Sequence, residues 1–182
     1  MSDYRRWYVP GGTYFFTVVA YERMRLFQSP EARTCLREAI AEVQTKWPFE
    51  LFAIVLLHDH LHTIWTLPPG DDRYSLCWQK IKEGFTIRYR ELPSAREGLR
   101  TRSRRRRQER GYWQRRFWEH TIENEDDLKN CTDYLHWNPI KHGYVERVVD
   151  YPWSTFQKFI GLGEYDLGWG GVNPCGAFEM PE

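Results

Sequence analysis

Two histidines separated by one residue, His60-Leu61-His62, and a tyrosine and asparagine four apart, Tyr134 and Asn138, are the side chains here best suited to chemistry. The histidines lie in residues 52–67, an apolar stretch rich in branched and aromatic residues that ends at Pro68-Pro69-Gly70. That pattern predicts two short strands meeting near Asp59. Residues two apart on a strand point to one face, so His60 and His62 can offer imidazole nitrogens to one cation. Residues four apart on a helix also share a face, which groups Tyr134 with Asn138. Joined, the two pairs make a metal-assisted nucleophilic site for a phosphodiester. A divalent cation would relieve the repulsion between phosphate and attacking oxygen, and attack by Tyr134 would leave a phosphotyrosine that stores the bond energy for rejoining. Two imidazoles and a neutral amide leave positions open for phosphate and water.

Each element alone has a plainer explanation. Paired histidines on a strand are often structural, a helical tyrosine is usually a packing residue, and an asparagine before Pro139 can simply end a helix. There is also a rival assembly. His58, His60 and His62 alternate, and three histidines on one face would suit a zinc hydrolase of small substrates. The position of the turn near Asp59 decides between them, because a turn there takes His58 out of register.

Net charge is only +1, but it is segregated along the 182 residues. Arginine dominates between Arg96 and Arg116, with Arg104, Arg105, Arg106 and Arg107 consecutive, whereas no Lys or Arg follows Lys158. The run, about residues 95–112, is too charged to pack and is expected as a loop. Gly111-Tyr112-Trp113-Gln114-Arg115-Arg116-Phe117-Trp118 then interleaves rings with arginines, the pattern of phosphate contacts beside stacking platforms for single strands. Arg104, Arg105, Arg106, Arg107, Arg110, Arg115 and Arg116 are therefore candidate DNA contacts. A solvated, inert loop is the plain alternative.

The four cysteines are widely spaced with no Cys-x-x-Cys pair, which fits a reducing cytoplasm better than a zinc knuckle or disulfide scaffold. The N-terminal residues do not read as a signal peptide, and no stretch approaches the roughly 20 apolar residues of a membrane span. A soluble, cytoplasmic protein is expected, nucleoid-associated when bound to DNA.

The elements that must position the candidate residues follow in the order β-α-β-β-α-β-α. A strand over 13–21 comes first. A helix capped by Ser29 with Pro30 in its first turn follows, then the two histidine strands and a helix opening after Asp71-Asp72. A strand over 116–122 precedes a helix capped near Asn124 that carries Tyr134, and a short helix comes last. This order implies an α+β fold, a ferredoxin-like antiparallel sheet flanked by helices, in residues 1–160. Residues 161–182 form a Gly-rich acidic tail, expected to be a disordered end unless it lies over a basic groove.

Tyr4-Arg5-Arg6-Trp7-Tyr8, Gly11-Gly12-Thr13-Tyr14-Phe15-Phe16-Thr17, His60-Leu61-His62, Trp65-Thr66-Leu67-Pro68, Arg115-Arg116-Phe117-Trp118-Glu119-His120, Asp133-Tyr134-Leu135-His136-Trp137-Asn138-Pro139-Ile140-Lys141-His142-Gly143 and Trp153-Ser154-Thr155-Phe156 together resemble the REP-associated tyrosine transposases. These are single-tyrosine members of the HUH nuclease superfamily. The resemblance implies the HUH endonuclease fold, Tyr134 as nucleophile, His60, His62 and Asn138 as ligands of Mg²⁺ or Mn²⁺, and no nucleotide cofactor. It further implies cleavage and rejoining of single-stranded DNA at REP hairpins through a 5′-phosphotyrosine, with base contacts expected near Tyr4, Arg5, Arg6 and Trp7. A monomer is favoured over a homodimer. A hairpin-binding protein that no longer cuts is the remaining alternative, and the intact set of His60, His62, Tyr134 and Asn138 disfavours it. One departure stands out: relatives usually carry Pro-Asn or Pro-Glu before the histidine pair, where this chain has His58-Asp59.

Overall fold

The computed structural model describes residues 8–96, 98, 101–106 and 110–174. Four strands, β1 (Thr13–Val19), β2 (Glu50–Leu56), β3 (His60–Thr66) and β4 (Trp118–Thr121), form one antiparallel sheet in the order β2-β3-β1-β4. Between and after them come α1 (Pro30–Lys46), α2 (Tyr74–Glu91), α3 (Arg102–Arg106), α4 (Glu125–Lys141) and α5 (Phe156–Gly161). The expected α+β order is present. It gains α3, a single short helix inside the arginine run where composition implies a loop. Arginine is a good helix former, so a turn of helix needs no apolar face there.

The sheet is covered on both sides, which is why every residue of β1 after Thr13 is buried. Tyr14, Phe16 and Val18 alternate toward α1 and α2, where they meet Leu61 and Trp65 of β3. Trp65 is stacked between Phe49 at 4.0 Å and Trp78 at 4.3 Å, so much of the aromatic content is core. Phe15 points the other way, into a second core with Ala53, Val55, Ile64 and the α4 residues Cys131, Tyr134 and Leu135. On β3 the same alternation sends His60 and His62 to the α4 side, opposite Val19 and Thr17 in register. An extra residue in β2, Phe52, interrupts the register between Leu51 and Ala53, and Phe52 and Ala53 both join the α4-side core.

β2 is an edge strand, and its outer side is occupied. The backbone N–H of Leu56 donates to Trp153 O (2.8 Å), and that of Thr155 donates to Ile54 O (2.9 Å). Thr155 Oγ1 accepts from the N–H of Ile54 (3.0 Å) and also lies 3.0 Å from His136 Nε2, linking this cover to α4.

Helix α4 starts where its sequence says it should. Asn124 caps it by accepting from the Asp127 N–H at 2.9 Å, and three acids follow in the first turn. Asn124→Ala is expected to lower stability by about 1 kcal/mol, read as a reduced urea midpoint at unchanged slope. The helix runs through Pro139 to Lys141, two residues beyond the proline that could have ended it.

The described part of the tail, 161–174, packs on the domain, and the rest of it lies outside the described residues. Tyr165 OH donates to Asp133 Oδ1 (2.7 Å), Trp169 packs on Tyr165 (4.3 Å) and Phe156 (5.6 Å), and Trp137 Nε1 donates to Gly170 O (3.2 Å). Two aromatic anchors in an otherwise polar, Gly-rich segment are enough to seat it on α4. Among the described residues no helix is long and apolar enough to cross a membrane.

Candidate active site

The hairpin turn decides the histidine question. His60 begins β3, while His58 sits in the preceding turn, where Leu57 N–H donates to His60 O (2.9 Å). His58 Nδ1 accepts from Arg25 Nη2 (2.8 Å), and its ring lies 4.2 Å from that of Tyr144. Burial, with Arg25 adding to it, lowers the His58 pKa. His58 is therefore engaged away from the pair, and the three-histidine alignment that a zinc hydrolase would need is not formed.

His60 and His62 are both fully buried, with ring centroids 5.0 Å apart. Asp59 Oδ1 lies 2.6 Å from His60 Nδ1, and Arg23 Nη1 lies 3.3 Å from the same nitrogen. A guanidinium can only donate, so the shorter carboxylate contact fixes the proton on Nδ1 and leaves the lone pair on Nε2. That Nε2 is buried with no hydrogen-bond partner. Burial lowers the His60 pKa despite the opposing pull of Asp59, so the ring is neutral at neutral pH, as a ligand must be. Burial alone would raise the Asp59 carboxyl, but the hydrogen bond from His60 and the nearby charges hold it below the ordinary range. Thr17 Oγ1 stands 3.0 Å from His62 Nδ1 and holds the orientation of that ring.

Helix α4 supplies the facing groups on successive turns. The Tyr134 ring is 5.6 Å from that of His62 and 6.1 Å from that of Phe15, and the residue is 1% exposed. His142, eight residues on, places its ring 5.0 Å from that of His60. Asn138 lies between them in sequence, one helical turn after Tyr134 on the same face of the helix. It is fully buried, and neither Oδ1 nor Nδ2 has a hydrogen-bond partner. An unsatisfied buried amide costs about 1–3 kcal/mol, and such a cost is usual at sites kept for a ligand. A neutral imidazole nitrogen and an amide oxygen, both buried and unpartnered, fit a divalent cation.

Lys141 Nζ donates to Tyr134 Oη at 3.0 Å and lies 4.9 Å from the ring centroid. Sequence reasoning missed Lys141, His142, Asp59, Arg23 and Thr17. Helical spacing of seven from Tyr134 would have found Lys141, had Pro139 not suggested that the helix stops. Thr17 needs the β1–β3 register, which no local pattern gives. His136, inside the same motif, faces away among Phe156, Phe159 and Tyr165, and burial pushes its pKa down to about 3.

The basic segment divides. Arg106, Arg110, Arg115 and Arg116 are exposed. Tyr4, Arg5, Arg6, Trp7 and Arg107 lie outside the described residues, as do the side chains of Arg104 and Arg105. The rings between the arginines are not open platforms. Tyr112 and Trp113 are buried; Trp113 packs on Phe27 and Phe85, and Tyr112 OH donates to Arg96 O (2.9 Å). Phe117 is half-buried against Phe16 and Trp78. The expectation that these rings stack on bases is corrected for Tyr112, Trp113 and Phe117, which stack on the core instead.

Residues 9–138 match the family model described as "Transposase IS200 like". The chain is 42% identical over 171 residues to a REP-associated tyrosine transposase of Escherichia coli (strain K12), covering 94% of this chain and 92% of that one. A Haemophilus influenzae relative named for the same transposases is 41% identical over 174 residues, covering 96% of each chain. A solved structure of a REP-associated tyrosine transposase bound to a REP hairpin superimposes with a TM-score of 0.77 at 39% identity, covering 95% of this chain and 93% of that one.

Proposed function

Because the chain belongs to the IS200-like transposase family, and within it to the REP-associated tyrosine transposases, we propose that it cleaves and rejoins single-stranded DNA at REP-type hairpins. The observation that supports this most is the Tyr134 ring 5.6 Å from that of buried His62, with buried, unpartnered Asn138 one helical turn on. Tyr134 Oη attacks the scissile phosphorus, forming the tyrosine–phosphorus bond as the bond to the 3′ oxygen breaks. The tyrosine proton passes to solvent, the 3′ oxygen gains one, and a 5′-phosphotyrosine remains. Attack by a 3′-hydroxyl on that linkage reverses the step, so no nucleotide cofactor is needed. His60, His62 and Asn138 would hold Mg²⁺ or Mn²⁺, which when bound polarises a non-bridging phosphate oxygen. Lys141 fixes the direction of the Tyr134 hydroxyl and sets a positive charge where an anionic phosphate must approach. We place the protein in the cytoplasm, with the nucleoid when bound to DNA, acting as a monomer.

The direct test is incubation with labelled single-stranded hairpin oligonucleotides from the host's own repeats, with Mn²⁺, followed by a denaturing gel. A protein-linked DNA band is expected. Hairpins that bind tightly yet give neither cleavage nor adduct would leave a binding protein in place of an enzyme.

The arginine segment binds phosphates in this reading. Replacing Arg104, Arg105, Arg106, Arg107 and Arg110 by alanine should weaken matched and mismatched hairpins about equally. The slope of log affinity against log salt should flatten by roughly 0.7 for each single-strand phosphate that is no longer neutralised. An unchanged affinity and slope would make the segment a solvated surface.

A further inference from the structure

A second set of ligand-type side chains lies between the edge strand β4 and the start of α4. His120 on β4, Asp127 in the first turn of α4 and Cys131 one turn later bring a ring nitrogen, a carboxylate oxygen and a sulfur within 4.8 Å of one another. Among the described residues this is the one grouping of three His, Cys, Asp or Glu with metal-holding spacing. His120 Nε2 lies 2.9 and 3.0 Å from the two Asp127 oxygens, and Cys131 Sγ lies 3.6 Å from Asp127 Oδ1. We propose that His120, Asp127 and Cys131 form a second metal site, distinct from the His60–His62 pair, that takes a thiophilic divalent cation of the zinc class.

The two separations that involve Asp127 suit such an ion. Bond lengths of about 2.0 Å to nitrogen or oxygen and 2.3 Å to sulfur put tetrahedral ligand atoms roughly 3.3–3.5 Å apart. The oxygen–sulfur separation already matches, and the nitrogen–oxygen separation must open by a few tenths of an ångström. The backbone fixes the arrangement. Asp127 and Cys131 are four apart on one helical face, and His120 is opposite Phe15 in register, on the side of the sheet that α4 covers. Cys131 is fully buried, whereas the side chains of His120 and Asp127 are 31% and 16% exposed, so a fourth position opens toward water.

An ordinary ion pair accounts for part of the cluster. Asp127 Oδ2 also accepts from the Glu123 N–H (2.9 Å), and His120 with Asp127 could do no more than tie β4 to the helix start. The Cys131 thiol donates a weak hydrogen bond to the same carboxylate and places there the soft ligand a zinc site requires. Burial, with Asp127 adding to it, holds the Cys131 thiol well above its usual range, so without metal the sulfur keeps its proton. On loading, the sulfur–hydrogen bond breaks, the sulfur–metal bond forms, and the proton leaves to solvent. One carboxylate and one thiolate neutralise the divalent charge. Thiolate is the ligand that favours zinc over magnesium, and of the two sites only this one offers it. A filled site would staple β4 to the two turns of α4 that precede Tyr134.

Cobalt(II) titration of the metal-free full chain tests the assignment, because only thiolate ligation gives intense near-ultraviolet charge-transfer absorption. The band should saturate at one equivalent, persist in His60→Ala/His62→Ala, and persist in Cys35→Ser, Cys77→Ser and Cys175→Ser. It should vanish in Cys131→Ser, and His120→Gln should weaken cobalt binding at least about tenfold. Zinc should displace the cobalt and, in the His60→Ala/His62→Ala background, should raise the melting temperature with Cys131 intact but not with Cys131→Ser. Circular dichroism of both variants checks that they fold. No band in the wild type, or a band that survives Cys131→Ser, overturns the proposal and leaves an ion pair only. None of these readouts depends on strand cleavage.

Discussion

Tyr134→Phe is expected to eliminate both strand cleavage and the covalent DNA adduct while leaving hairpin affinity close to that of the wild type. The change deletes one oxygen from a side chain that is 1% exposed, so it removes the nucleophile and almost no binding surface. Loss of a nucleophile costs on the order of 10⁴- to 10⁶-fold in rate, which takes cleavage below detection on a gel. The hydrogen bond from Lys141 goes with it, a change of about 0.5–1.5 kcal/mol in stability that a melting curve would resolve. An adduct formed by the Phe variant would assign the chemistry to a different tyrosine.

His60→Ala and His62→Ala should each abolish Mg²⁺- or Mn²⁺-dependent cleavage, by about 10³-fold or more, since a metal-bound phosphate oxygen is worth several kcal/mol in the transition state. Asn138→Ala should weaken cleavage and be partly rescued by excess Mn²⁺. His58→Ala should be tolerated, because His58 is held in the turn by Arg25. The residues behind the pair extend the test: Asp59→Ala or Thr17→Val removes the partner of an Nδ1 and should lower metal affinity by roughly 10–100-fold with the ligands intact. Isothermal titration with Mn²⁺ separates these outcomes. Full metal affinity in His60→Ala would overturn the ligand assignment.

The two pairs of residues that define the site were each legible from spacing, because a strand repeats every two residues and a helix about every 3.6. That they face each other was not. It depends on β3 lying inside the sheet and on α4 covering the side opposite α1 and α2, both set by contacts far apart in sequence. Complementary chemistry suggested joining the pairs, and the family resemblance implied the same set. Asp59, the departure from the relatives' pattern, proves to be the group that orients His60. The misread rings share one cause. Composition cannot tell a ring that stacks on a base from one that stacks on another ring, so Tyr112 and Trp113 read as a binding surface and Tyr165 and Trp169 went unnoticed in a polar tail.

The cover over β2 has a consequence for behaviour in concentrated solution. An open four-stranded sheet has two rims, and an exposed rim of unpaired amides invites another copy of the same chain to dock and propagate. Here one rim is filled by Trp153 and Thr155, and the other belongs to β4, which is only four residues long. Thr155 also meets His136, so the cover is anchored to the helix that bears the nucleophile. The Trp153-Ser154-Thr155-Phe156 motif thus guards against fibrous self-adhesion, and a chain truncated ahead of it would become sticky in the crowded cell.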